Sequence, residues 1–160
     1  MSPSPHDRPD VAVFSEIGVI EHHMRMGVSK HLPNGMTYGQ FEVLLHLARN
    51  GDGQSPADLA QAMLMGKSAM NGVLRKMVAQ GLVTVLTDVN DRRRKRVRLA
   101  RPGLDAYAGI LEAMAWKTDA LRDGFTDAEF RAALPFLRAL RTYLGDVSET
   151  IGEPEAVSRR

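Results

Sequence analysis

Four side chains on one short segment could do recognition chemistry. Lys67, Ser68, Asn71 and Arg75 follow one another at steps of one, three and four, which puts them on one side of a helix. An ammonium, a hydroxyl, an amide and a guanidinium are the groups that reach base edges and phosphates in a DNA groove, and no acid shares that side. A second set lies downstream in Arg92, Arg93, Arg94, Lys95 and Arg96, and six of the eleven residues from 88 to 98 are basic. A charge run is ordinarily just a solvated loop, but its distribution here points to a polyanionic partner. Residues 67 to 101 hold ten Lys or Arg against two Asp, a net +8; the whole chain is +2, so everything else is −6. Concentrated positive charge of this kind is the electrostatic footprint of a nucleic-acid binder.

The elements that must position these groups can be read from caps and periodicity. Ser55-Pro56-Ala57-Asp58 is a helix start: serine caps free N–H groups, proline suits the first turn, and Asp58 complements the helix dipole. Leu59, Ala60 and Met63 give this helix its apolar face, and Leu64-Met65-Gly66 breaks it. A second helix is predicted from Lys67 to about Gln80, with Met70, Val73, Leu74, Met77 and Val78 as its buried stripe and Gly81 as a left-handed cap. Leu82 to Thr87 and Val97 to Leu99 are expected to be paired strands, joined by a turn that Asp88, Asn90 and Asp91 favour. Two short helices, a turn and a basic hairpin make a winged helix-turn-helix.

Upstream, Val13, Ile17, Ile20, Met24 and Val28 predict a helix over about 11–31 with more apolar surface than one narrow stripe. Thr37 and Gln40 form a capping box, with Met36 and Phe41 as a hydrophobic staple, opening a helix to about Arg49 that buries Phe41, Leu44, Leu45 and Ala48. Downstream, Pro102 and Gly103 open a long helix to about Arg122 with a stripe of Leu104, Tyr107, Ala108, Leu111, Met114 and Ala115. Thr126 and Glu129 are a second capping box, for a final helix to about Leu144 that Pro135 is expected to kink. Residues 1–10 are expected to be a disordered tail and 147–160 a frayed one.

The stretch resembles the MarR (multiple antibiotic resistance regulator) family. The residues that carry the resemblance are Leu59-Ala60, Gly81-Leu82-Val83, the Asp88, Asp91-Arg92-Arg93 wing, Val97, Leu99 and Gly103, together with the segment from Gly35 to Gly51. It extends over about residues 11–146. It implies a mainly α fold with a small β-hairpin, in which a DNA-binding lobe (about 37–100) is flanked by dimerisation helices (about 11–32 and 102–146). It further implies that Lys67, Ser68, Asn71 and Arg75 face the major groove and that Arg93, beside Arg92, reaches the minor groove. Arg94, Lys95 and Arg96 are expected on phosphates, Ser55 counts among the candidate contacts, and Asp88 and Asp91 would orient the wing by pairing with arginines. The sequence departs from the family at Gly66 and Ala100, where capping hydroxyls are common, and at Met63, Met65, Met70 and Met77, which replace Leu or Val.

The function implied is a dimeric, sequence-specific transcription regulator, a repressor acting on a pseudo-palindromic double-stranded operator. A small aromatic or anionic effector would bind near His22, Met26, Phe41, Tyr107 and Leu111 and relieve it. The alternative is a winged-helix module that binds ligands or proteins without specific DNA recognition. With no cysteine there is no disulfide and no thiol redox sensor. No nucleophile motif or phosphate-binding glycine loop suggests an enzyme, and no cofactor is expected. His22 and His23 are adjacent, so they point about 100° apart on a helix and suit one metal ion poorly; with His31 and His46 they are expected on the surface or in packing, not as ligands. No apolar run approaches a membrane span, and Met1–Pro9 lacks a signal-peptide core, so a cytoplasmic location is expected.

Overall fold

The computed structural model describes residues 8–150, and the sequence-predicted tails at 1–7 and 151–160 lie outside them. Six helices and one hairpin follow in order: α1 Pro9–Ser29, α2 Tyr38–Asn50, α3 Pro56–Ala62, α4 Lys67–Ala79, β1 Val83–Thr87, β2 Lys95–Leu99, α5 Arg101–Gly124 and α6 Asp127–Thr150. The chain forms two compact units that divide after Ala115.

In the first unit the segment from α2 to β2, the winged-helix lobe, has its own core. Val43, Leu44 and Leu47 of α2, Leu59 and Ala60 of α3, Met70, Leu74 and Met77 of α4, and Leu82, Val83 and Val97 of the hairpin are buried together. The strands pair antiparallel with Val83 opposite Leu99 and Val85 opposite Val97, so alternate residues turn inward as the pleat requires. Gln54 bridges Val97 on its other side, with Gly53 N donating to Val97 O at 2.9 Å and Val97 N to Gln54 O at 2.8 Å. β2 is therefore held on both edges. A second cluster joins Val28 of α1, Phe41 of α2 and Ile110 of α5, with Leu32, Met36, Tyr38, Leu45, Tyr107 and Met114 around it.

Local sequence chemistry explains the helix ends. Thr37 Oγ1 accepts from Gln40 N at 3.3 Å while Gln40 Oε1 accepts from Thr37 N at 2.9 Å, a complete capping box. Ser55 and Asp58 close a similar box at α3, with Asp58 N donating to Ser55 Oγ at 3.1 Å and Ser55 N to Asp58 Oδ2 at 3.1 Å. α4 has Gly66 as its N-cap and no side-chain cap. At its far end Gly81 N reaches Val78 O at 3.0 Å and Leu82 N reaches Met77 O at 2.9 Å, with Gly81 at φ +71°. That is the Schellman ending, and its left-handed residue suits glycine.

Several sequence expectations shift. α1 starts at Pro9 and so takes in the end of the predicted tail; α6 continues through Pro135 to Thr150, past the predicted end near Leu144, so 147–150 are helical rather than frayed. β2 starts at Lys95, two residues before the predicted strand, because each of 95 to 99 finds a partner in β1. In α2, Ala48 is exposed and Val43 and Leu47 are buried; in α4, Val78 is 45% exposed. The larger change is in α5. Its buried residues are Gly103 and Ile110, with Ala106, Tyr107 and Met114 packed beside them, whereas Leu104 and Leu111 face outward. A Cβ on Gly103 would lie 2.1 Å from Leu82 O and 3.3 Å from Leu44 Cδ2, so α5 meets the exit of α4 on its glycine side and turns the leucines away. A count of apolar residues does not register a glycine, so the predicted stripe holds Tyr107 and Met114, which pack inward, together with Leu104 and Leu111, which do not.

The second unit holds the end of α5 and α6. Thr126 caps α6 reciprocally with Glu129, and the Phe125 and Phe130 rings lie 6.0 Å apart. Phe130, Leu134, Phe136 and Leu137 are all exposed in the single chain.

Candidate nucleic-acid interface

A cleft in the winged-helix lobe is lined by Ser55, Pro56, Ala57 and Asp58 from the start of α3, Lys67 and Asn71 from α4, and Arg93, Arg94, Lys95 and Arg96 from the wing. Of the sequence candidates, Ser55, Lys67, Asn71, Arg93, Arg94 and Lys95 are thus brought to one concavity. Ser68, Arg75 and Arg92 are exposed but do not line it. Among the described residues, Lys67, Arg75, Arg92, Arg93 and Lys95 make no ion pair.

The wing is built by its two aspartates. Asp88 Oδ1 accepts from Asn90 N at 2.8 Å, and Asp88 Oδ2 accepts from Arg96 Nε at 2.7 Å. The Asn90 N–H first, and Arg96 next, hold the Asp88 carboxyl below its ordinary pKa. Asp91 Oδ1 accepts from Arg93 N at 2.9 Å, and Arg94 Nε lies 3.5 Å from Asp91 Oδ2. The backbone closes the turn, with Asp88 N donating to Arg94 O at 2.8 Å and Arg94 N to Asp91 O at 2.9 Å. The tip between the strands is therefore fixed by carboxylates on backbone N–H groups, while the arginine side chains project from it.

Arg96 departs from its expected role on phosphate. Its Nε is engaged by Asp88 and its NH1 donates to Gly53 O at 3.2 Å, so it ties the wing to the loop before α3. Ser55 is also committed, since Oγ donates to Asp58 Oδ2 at 2.7 Å as well as capping α3. These bonds, with the Ser55 hydroxyl contributing most, lower the Asp58 pKa and keep one carboxylate in the basic cleft. Asp58 was not among the sequence candidates, although the Ser-x-x-Asp spacing is the signal that finds it. Two other supports were also missed: Asp52 Oδ1 accepts from Leu99 N at 2.8 Å, and His46 Nε2 lies 3.0 Å from Gln54 Oε1.

The residues named for an effector pocket divide. Phe41 is buried and its ring centroid lies 6.4 Å from that of Tyr107, whereas His22, Met26 and Leu111 are exposed in the single chain. Nearby, burial first and the Glu21 charge second push the Glu42 carboxyl up, and Glu21 pairs with Arg25 at 2.8 Å. The His22 and His23 rings meet edge to face at 6.4 Å, and no group of three or more metal-binding side chains occurs among the described residues. No helix there is long and apolar enough to cross a membrane.

A helix-turn-helix with a two-stranded wing and a cation-lined cleft between them defines the winged helix-turn-helix class. The MarR family model matches residues 34–94. A candidate transcriptional regulatory protein for the hcr operon of Thauera aromatica is 30% identical over 106 residues, 66% of this chain and 63% of that protein. The match thus spans less than two thirds of that relative's length. Solved structures share the fold. A MarR transcriptional regulator from Methanosarcina mazei Go1 superposes with a TM-score of 0.70 at 23% identity, covering 84% of this chain and 97% of that one. The transcriptional regulator SlyA gives 0.73 at 16% identity, covering 88% and 99%. A MepR variant of S. aureus bound to an oligodeoxyribonucleotide gives 0.57 at 21% identity, covering 82% and 97%. The chain is thus similar to the MarR family over residues 34–94 and shares the fold of a solved MarR regulator.

Proposed function

We propose that the chain is a dimeric, sequence-specific DNA-binding transcription regulator that represses until a small molecule relieves it. The observation that carries the reading is the cleft lined by Lys67 and Asn71 of α4 and by Arg93, Arg94, Lys95 and Arg96 of the wing, with Asp58 the one acid in its lining. α4 would enter the major groove, leaving Ser68, Asn71 and Arg75 at base edges, while Arg93 and Arg92 reach the adjacent minor groove. Lys67, Arg94 and Lys95 would hold phosphates.

Dimerisation is supported by apolar surface that the single chain leaves open. Val11, Phe14, Val19, Ile20 and Met24 of α1 are each about half exposed or more, and α6 exposes Phe130, Leu134 and Leu137. Burying such a surface against a second copy is favourable at about 25 cal/mol per Å². Two-fold symmetry would set two reading helices about 34–36 Å apart on a pseudo-palindromic site. The stacked Phe41 and Tyr107 rings, between α2 of the lobe and α5, are where an aromatic effector would act.

The test is selection of duplexes from a random library by the full chain, with sedimentation to weigh the complex. An enriched palindrome bound by two chains is expected. Equal binding to every duplex would return the chain to the interaction-module reading.

A further inference from the structure

Gly72 stands in the interior of α4, and nothing in the chain requires it there. Its backbone is not in the left-handed region, and a Cβ built on it would meet nothing within 4 Å. Gly81, which needs φ +71°, and Gly103, whose Cβ would strike Leu82 O at 2.1 Å, are different, while Gly18, Gly39 and Gly109 are as open as Gly72; what sets Gly72 apart is that it lies on α4, the helix that brings Lys67 and Asn71 to the cleft. Glycine is among the least favourable residues inside a helix, so an unforced one is a cost that the fold alone does not explain.

Its position on the helix supplies the reason. At about 100° per residue, Gly72 falls roughly opposite the buried Met70, Leu74 and Met77. It lies on the side of α4 that carries Ser68 one turn before, Arg75 one turn after and Asn71 beside it; these three are exposed and Gly72 is half-buried. Ser68 and Asn71 are short, so they reach a base edge only if the helix backbone comes close. A methyl at the centre of that face would hold the helix away.

We propose that Gly72 is a specificity determinant of the reading helix: its bare backbone lets α4 seat against base edges on the floor of the major groove, within reach of Ser68 and Asn71. The inference rests on the DNA-binding reading above. It assigns the contact to bases, not phosphates, because Ser68 and Asn71 beside it are short groups suited to base edges, and Lys67, the cation placed on phosphate above, lies further round the helix.

The experiment titrates a duplex enriched by the wild-type chain, and a shuffled duplex, with wild type, Gly72→Ala and Gly72→Gln, alongside thermal unfolding of each protein. Gly72→Ala should raise Tm by about 2–4 °C, since alanine is the better helix former. It should weaken binding to the enriched duplex by about tenfold and leave the shuffled duplex within about twofold. Gly72→Gln should lose more affinity while also gaining stability. Stability and affinity then move in opposite directions, which a purely structural role does not produce. Unchanged or tighter binding to the enriched duplex overturns the proposal, as do equal losses on both duplexes. If the wild-type chain enriches no sequence, the DNA reading falls and this inference with it; an enriched site that both variants bind like wild type sinks Gly72 alone.

Discussion

Gly103 and Leu82 touch backbone to backbone: a Cβ on Gly103 would lie 2.1 Å from the Leu82 carbonyl oxygen and 3.0 Å from its carbon. The same carbonyl accepts from Ala100 N at 3.0 Å, so the first turn of α5 is fixed to the exit of α4. Gly103→Ala should therefore destabilise by about 3 kcal/mol, because the obstacle is backbone and does not rotate away. Urea unfolding checks this; a change below about 0.5 kcal/mol would mean that α5 does not sit against Leu82.

Asp88 gives a pH signature. Its pKa is lowered in the fold by Asn90 N–H and Arg96. The stabilisation it confers is thus present above the ordinary carboxylate pKa of about 4 and is lost as the pH falls through the lower folded value. Asp88→Asn should be less stable than wild type at neutral pH, and the two should converge in acid. Parallel pH profiles would show that the Asp88–Arg96 pair contributes nothing.

Leu64 sits at φ +51° in the turn between α3 and α4 and is 87% exposed. A left-handed leucine costs about 1–2 kcal/mol and, at this exposure, gains little from burial. Leu64→Gly should stabilise by about 0.5 kcal/mol after the extra flexibility of the unfolded glycine is counted. A loss of stability would mean that the leucine makes a contact worth more than its strain.

Lys95 lines the cleft and makes no ion pair among the described residues. As a phosphate contact, its loss in Lys95→Ala should weaken specific and shuffled duplexes alike and flatten the plot of log affinity against log salt by about one unit. A selective loss on the specific duplex would assign Lys95 to a base.

Most elements of the reading lobe could be read from local signals that act within a few residues. The Thr37–Gln40 box and the Gly81 cap need only the backbone between them, and the bonds at 3.3, 2.9 and 2.9 Å are where the sequence puts them. What depends on distant chain was not legible. The inward face of α5 is chosen by Leu82, 21 positions before Gly103, and the leucines that dominate its hydrophobic pattern face outward. Arg96 looks like one more cation in a run until the hairpin folds Asp88 to 2.7 Å from it. The buried Gln40 amide also donates to Gln80 Oε1 at 2.8 Å while Gln80 donates to Gly35 O at 2.8 Å, and that bond carries no sequence signal because its partner is 40 residues away.

The central claim is that the α4 and wing surface reads DNA sequence, and Arg93 tests it most directly. Its N–H is held by Asp91 while its side chain lines the cleft and makes no ion pair among the described residues. Fluorescence anisotropy of wild type and Arg93→Ala, on an enriched and a shuffled duplex at two salt concentrations, is the measurement. The account predicts that wild type prefers the enriched duplex about a hundredfold or more, and that Arg93→Ala loses about 1–3 kcal/mol of that preference while remaining folded. Equal affinity of wild type for both duplexes, with only a steep salt dependence, would contradict it.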